Sequence, residues 1–221
     1  DEMRSVKDAA EIAVLRRAGR LCAEAVTLAM RVTRPGLMEY QLGALANYLY
    51  GIAGAQGEGY RPIIAGGENI RHVHYFRLDA PLQRGDLVLM DLAPECNHYT
   101  SDIGRMWPVD GIYRPWQREL YGYIVEYQKV LLSSIRPGVT PEQVMDEAAA
   151  QMAPVWEAWS FSDDAHREGA RKTLEFDGHL SHPVGMAVHD DGDYRGRPLC
   201  GRPLVPGTVF AVDPQMWIPE L

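Results

Sequence analysis

The same chain break occurs twice in this sequence, and it limits what the chain can fold into. Arg34-Pro35-Gly36 and Arg136-Pro137-Gly138 lie 102 residues apart, and each separates two helical stretches. Proline and glycine in succession stop a helix and turn the chain. Each second helix leads on to an apolar strand with one embedded acid. The first copy reads RPGLMEYQL and later GDLVLMDLAP; the second reads RPGVTPEQV and later GTVFAVDPQ. The strand acids, Asp91 and Asp213, are 122 residues apart. Such self-similarity marks an internal repeat. It predicts two halves related by a pseudo-twofold axis, with Asp91 and Asp213 facing each other and delivering carboxylates to one centre. No low-complexity linker divides the halves, so residues 1–221 read as one domain.

Periodicity places the elements. Ile12, Leu15, Leu21, Ala25 and Leu28 recur at helical spacing, which predicts a helix from Ser5 to about Arg31. A second helix is expected from about Met38 to Ile52. Extended segments follow at Pro62–Ala65, His72–Phe76, Asp86–Ala93 and Tyr99–Val109. Trp116–Ile135 reads as helix. After it, Thr140-Pro141-Glu142-Gln143 suits a helix start, with Thr140 as cap, Pro141 in the first turn and Gln143 closing a capping box. His182–Asp190 and Thr208–Ile218 read as closing strands.

Bulk properties narrow the function classes. Net charge is −8, so nothing sequence-wide points to nucleic acid. No apolar stretch approaches membrane-spanning length, so no membrane partner is expected. Cys22, Cys96 and Cys200 are far apart and form no CxxC pair, which argues against a disulfide framework and predicts small core thiols. No secretory signal is visible, although the chain begins at Asp1 rather than Met. A cytoplasmic location is the expectation.

Asp91 interrupts the run Leu87-Val88-Leu89-Met90-Asp91-Leu92-Ala93. A carboxylate in so apolar a strand is costly unless it is paired or binds a metal. Asp102 follows eleven residues later in YTSDIGR. Two antiparallel strands joined by a short turn near Glu95–His98 would bring the acids side by side. Close carboxylates favour a shared proton or a shared cation. Asp102 could equally pair with Arg105 or cap a turn. His182 and His189 lie seven apart in HPVGMAVHD, on opposite faces of a strand unless Gly185 forms a bulge. Each could also be a surface or hydrogen-bonded histidine. His72 and His74 are two apart and would share a strand face; His98 and His166 read as surface. Carboxylates with imidazoles suit a divalent Mn, Co, Zn or Fe ion. Two such ions can hold a bridging hydroxide and polarise a carbonyl. GAQGEG and AGGEN lack the Lys-Ser/Thr of a phosphate loop, and no Gly-x-Ser-x-Gly turn is present.

Four segments occur in order: AGGENIRHVHY, GDLVLMDLAPECNHYTSDIGRMWPVDG, HLSHPVGMAVHD and PGTVFAVDPQMWIPE. Together, and along essentially the whole chain, the sequence resembles the Xaa-Pro aminopeptidase and prolidase branch of the pita-bread metallopeptidases. The resemblance implies an α+β pita-bread (creatinase/aminopeptidase-like) fold, with helices packed on a curved antiparallel sheet in a pseudo-twofold repeat. It implies two divalent metal ions, manganese first, with cobalt, zinc or iron as alternatives. It makes Asp91 a ligand of one ion, Asp102 the bridging acid, His182 the imidazole ligand and Asp213 a further ligand. His74 and His189 take the places of the non-ligand histidines that contact the substrate carbonyl. The implied activity is hydrolysis of the bond before proline in Xaa-Pro peptides or dipeptides, with a homodimer possible.

The sequence departs from that pattern at four places. Asp213 stands where Glu is usual, and that acid is also associated with activating the attacking water. The last ligand, a Glu on a final strand, is missing because the chain ends at Leu221, and Glu220 is not a substitute. Gly178 stands where His is frequent, beside His179, and Gly104 where Thr is common. A C-terminally incomplete chain is therefore expected, and a creatinase-like domain could precede Asp1. Two alternatives stay open: a catalytically impaired module that binds peptide or protein, and a hydrolase of other substrates, as in methionine aminopeptidases.

Overall fold

Asp8, rather than Ser5, opens the first long helix. Its carboxylate accepts the backbone N–H groups of Ala10 (2.8 Å) and Glu11 (2.9 Å), while Glu11 Oε2 accepts the Asp8 N–H at 2.7 Å. This capping box satisfies amides that the helix cannot pair internally. In the computed structural model, which describes residues 2–175, 180–190, 193–194, 197–198 and 201–218, the expected helix therefore begins later, as α2 (Ala9–Val32), after a separate short helix, α1 (Glu2–Ser5).

The described residues form two compact units. One comprises Lys7–Tyr113 and Val184–Asp190 and contains Asp91; the other comprises the described parts of Asp1–Val6, Arg114–Pro183 and Asp191–Leu221 and contains Asp213. In the Asp91 unit, α2 and α3 (Glu39–Ile52) pack on short strands. These are β1 (Gly57–Glu58), β2 (Ile63–Gly66), β3 (Leu87–Leu92), β4 (Pro94–Glu95) and β5 (Ile103–Pro108). Strand β3 is central, antiparallel to β2 on one side and to β5 on the other. Leu15, Ala18, Cys22, Ala25 and Ala29 repeat at three- and four-residue intervals on α2 and are buried. All but Leu15 make one apolar core with Leu42, Ala46 and Tyr50 of α3 and Val88, Met90 and Leu92 of β3.

In the Asp213 unit, α4 (Pro115–Ser134), α5 (Pro141–Ala158) and α6 (Asp164–Leu174) surround a second core. Tyr123, Tyr127 and Leu131 of α4 meet Val144, Ala148 and Met152 of α5, all at four-residue spacing. Thr140 and Gln143 form the expected capping box.

The repeat is visible as matched hydrogen bonds inside each unit. Gly36 and Gly138 both have φ of +89°. The Gly36 N–H donates to Leu82 O and the Leu82 N–H to Leu37 O, at 2.8 and 2.7 Å. The Gly138 N–H donates to Leu204 O and the Leu204 N–H to Val139 O, both at 2.8 Å. Leu82 and Leu204 each stand nine residues before their strand acid. The Arg-Pro-Gly corner thus ties each helix pair to the chain that carries the acid.

Three expected strands do not form. His72–Phe76 follows a 3-10 turn (Gly67–Arg71) as irregular chain, and His74 takes a φ of +59° that no strand accommodates. His72 and His74 therefore share no strand face. His182–Asp190 and Thr208–Ile218 show, among the described residues, only isolated bridges, Pro183 to Phe210 and Val6 to Thr208. Pro183 and Pro214 lack the N–H a ladder needs, so His182 and His189 are not related by strand alternation. No helix among the described residues is long and apolar enough to cross a membrane.

Candidate metal centre

Register places the first two acids. Asp91 on β3 pairs with Gly104 of β5, and Asp102 lies just before β5, two residues from Gly104. Side chains two apart share a face, so Asp102 is diagonal to Asp91. A Cβ on Gly104 would stand 3.7 Å from Asp91 Cβ, so the glycine leaves the space beside Asp91 open.

Tyr60 joins the two acids. Its Oη lies 2.5 Å from Asp91 Oδ1 and 3.1 Å from Asp102 Oδ1. One phenol proton serves two carboxylates, which keeps them close without neutralising either. Burial pushes the Tyr60 hydroxyl far above its usual range, and the Asp91 and Asp102 carboxylates push it further, so Tyr60 acts as a donor. Its place is set by Gly59, whose N–H donates to Ala93 O at 2.8 Å. A Cβ on Gly59 would stand 2.0 Å from Thr100 Oγ1. Sequence reasoning missed Tyr60. It precedes β2, the strand that pairs with Asp91, but nothing local to GEGYRP signals its partner. Beneath the pair, the Cys22 thiol donates to Leu92 O at 2.8 Å, and burial raises its pKa to about 12. Cys22 and Cys96 are buried free thiols, as expected; Cys200 lies outside the described residues.

Both candidate substrate histidines belong to this unit. His74 is exposed, and its ring is parallel to Phe76 with centroids 6.0 Å apart. His189 is exposed too, but the next residue, Asp190, is buried against Lys7. Gly185 O accepts the Thr100 N–H at 2.9 Å, which docks the His189 segment two residues before Asp102.

The Asp213 unit holds the other two candidate ligands. The Ala211 N–H donates to His182 O at 3.0 Å, next to the bridge between Pro183 and Phe210. His182 is half-buried, with Nδ1 3.2 Å from Pro183 O. A carbonyl only accepts, so in the neutral ring Nδ1 carries the proton and Nε2 the lone pair a metal requires. Asp213 is exposed and accepts the Ser181 hydroxyl. Ser181 was not anticipated from the sequence.

His98 is exposed as expected, whereas His166 is not a surface residue. It sits on α6, 7% exposed, with Nδ1 2.8 Å from Glu119 Oε1 of α4. Its neighbours Gly169, Ala170 and Thr173 turn the same helix face inward. Gly178, His179 and Glu220 lie outside the described residues.

Among the described residues no group of three His, Cys, Asp or Glu stands ready to hold a metal ion. The convergence within each unit is pairwise: Asp91 with Asp102, and the His182 backbone with the segment leading to Asp213. Two carboxylates on one phenol, and an imidazole with its tautomer set, fit a hard-to-borderline divalent cation.

Known proteins give the family. The profile of metallopeptidase family M24 matches residues 13–221. The Xaa-Pro aminopeptidase of Escherichia coli is 36% identical, covering 98% of this chain and 49% of that protein. The Xaa-Pro aminopeptidase 3 of Rattus norvegicus is 33% identical, covering 99% and 42%. The solved structure of proline aminopeptidase P II from Yersinia pestis superposes with a TM-score of 0.81 at 38% identity, covering 94% of this chain and 48% of that one. The chain thus spans about half the length of the relatives it matches. A metallopeptidase family implies a divalent metal cofactor. The chain belongs to metallopeptidase family M24 and has the pita-bread fold of the aminopeptidase P structures.

Proposed function

We propose that this chain is the catalytic domain of a metal-dependent aminopeptidase that cleaves the N-terminal residue from peptides with proline in second place. The observation that carries this is the pairing of Asp91 and Asp102 on Tyr60 in a chain of family M24. In this reading Asp91, Asp102, His182 and Asp213 hold two divalent ions, manganese before cobalt, zinc or iron. Such ions would lower the pKa of water and polarise the scissile carbonyl.

The chain's own residues supply the rest. Tyr60 orients the Asp91 and Asp102 carboxylates. Ser181 does the same for Asp213, which takes the proton of the attacking water. His74 and His189, both exposed, donate to the carbonyl oxygen as negative charge develops there.

The test is metal analysis of the purified protein together with hydrolysis of Xaa-Pro and Xaa-Ala peptides with added manganese or cobalt. Bound metal and cleavage before proline are expected, and both should be lost in Asp91→Asn. No bound metal and no turnover would overturn the proposal. A second reading, a module that binds peptide without cleaving it, is favoured by one observation: Asp213 is a methylene shorter than the usual Glu and is engaged by Ser181. That reading requires peptide binding to survive Asp91→Asn; metal-dependent binding excludes it.

A further inference from the structure

The first turn of α3 grips a loop. Glu39 opens this helix and is 0% exposed. Its Oε1 accepts the Gly66 N–H at 2.8 Å and the Asn69 side-chain amide at 3.0 Å. Its Oε2 accepts the Tyr75 hydroxyl at 2.9 Å and the Ala80 N–H at 3.1 Å. The four donors span segment 66–80 from end to end. The helix backbone adds to them, since the Glu39 N–H donates to Ala80 O and the Tyr40 N–H to Leu78 O, at 3.0 and 3.1 Å. These are amides that a helix start leaves without internal partners, and a carboxylate is favoured at that end.

Between the anchors at Asn69 and Tyr75 lie His72, Val73 and His74, all exposed. None packs into the core. His74 has a φ of +59°, a backbone conformation that a residue with a Cβ keeps only when its surroundings impose it. The adjacent Tyr75 is anchored at both ring and hydroxyl. Its ring is buried in the cluster with Ile63 and Ala65, and its hydroxyl ends on Glu39.

We infer that Glu39 is a positioning residue for His74: its carboxylate, acting through Tyr75 and Ala80, holds the loop that presents the imidazole. The inference rests on the role given to His74 above. Glu39→Gln keeps the shape but turns an NH2 group toward donors on one side of the network. Amide hydrogen exchange should quicken across 66–80 by at least about tenfold, the scale of a lost charge-assisted bond. Exchange in 87–92 and 103–108 should stay unchanged, as should metal content. Turnover of an Xaa-Pro peptide should fall about ten- to a hundredfold with KM little altered, and Glu39→Gln should cost nothing further in His74→Ala. Tyr75→Phe, which removes one donor only, should act in the same direction and more weakly, and serves if Glu39→Gln does not fold. Unchanged exchange in 66–80, or an equal loss of turnover with and without His74, would overturn the inference. If the wild type cleaves no Xaa-Pro peptide, the proposed activity falls, while the exchange measurement still decides whether Glu39 anchors the loop.

Discussion

Tyr60 Oη stands 2.5 Å from Asp91 Oδ1 and donates to a carboxylate whose neighbour, Asp102, is within 3.1 Å of the same oxygen. Partners of this kind fix the orientation of a ligand side chain. Tyr60→Phe leaves the ring in place and removes only the hydroxyl. Metal affinity should drop about ten- to a hundredfold, the usual scale for such a partner. Calorimetric titration of the metal-free protein with manganese measures it. Unchanged affinity would mean that Tyr60 does not orient the pair.

Gly36 and Gly138 occupy the same corner in the two units, each at φ +89° with nothing within 4 Å of where a Cβ would stand. The cost of alanine there is purely conformational. Each of Gly36→Ala and Gly138→Ala should destabilise the protein by about 1–3 kcal/mol, to a similar extent, as measured by urea denaturation. A large difference between them would show that the two corners are not equivalent.

Lys7 Nζ lies 3.4 Å from Asp190 Oδ2, with both side chains 1% exposed. Asp190 Oδ2 stands 2.0 Å from where a Gly185 Cβ would be, so only glycine at 185 leaves room for the acid. Lys7→Met should cost about 3–5 kcal/mol, because it takes the cation from a buried carboxylate. Adding Asp190→Leu should recover most of the loss. Denaturation of the single and double variants separates the two results, and equal instability in both would refute the pairing argument.

Burial raises the Cys22 thiol from its ordinary 9.0 to about 12. The folded state thus favours the neutral thiol. This group adds stability below pH 9, and the contribution fades as pH rises toward 12. At pH 9.0, the ordinary value at which a thiol is half ionised, iodoacetamide should leave Cys22 unlabelled in the native protein and label it in urea. Peptide mapping after digestion reads the outcome, and native labelling at the unfolded rate would contradict it.

Much of the site was legible because its cost is local. Asp91 in an apolar strand and Asp102 after a short turn announce themselves, since a carboxylate among Leu, Val and Met needs a partner. The repeat was legible because Arg-Pro-Gly breaks a helix wherever it occurs. The expected strands at His72–Phe76 and His182–Asp190 failed for the opposite reason. Alternating residues suggest extension, but His74 adopts φ +59°, which periodicity does not record. His166 looks like a surface residue in the sequence because its partner, Glu119, comes from another helix.

The sequence by itself determined the helix corners, the capped starts at Thr140 and the acids of the candidate centre, because chain stiffness, capping and burial cost act within a few residues. Tertiary structure alone decided which side chains hold that chemistry in place. Tyr60 reaches Asp91 across 31 positions, Glu39 reaches Ala80 across 41, and Lys7 reaches Asp190 across 183. A buried polar group must find a partner, but packing chooses which one, and packing brings together residues that the chain keeps far apart.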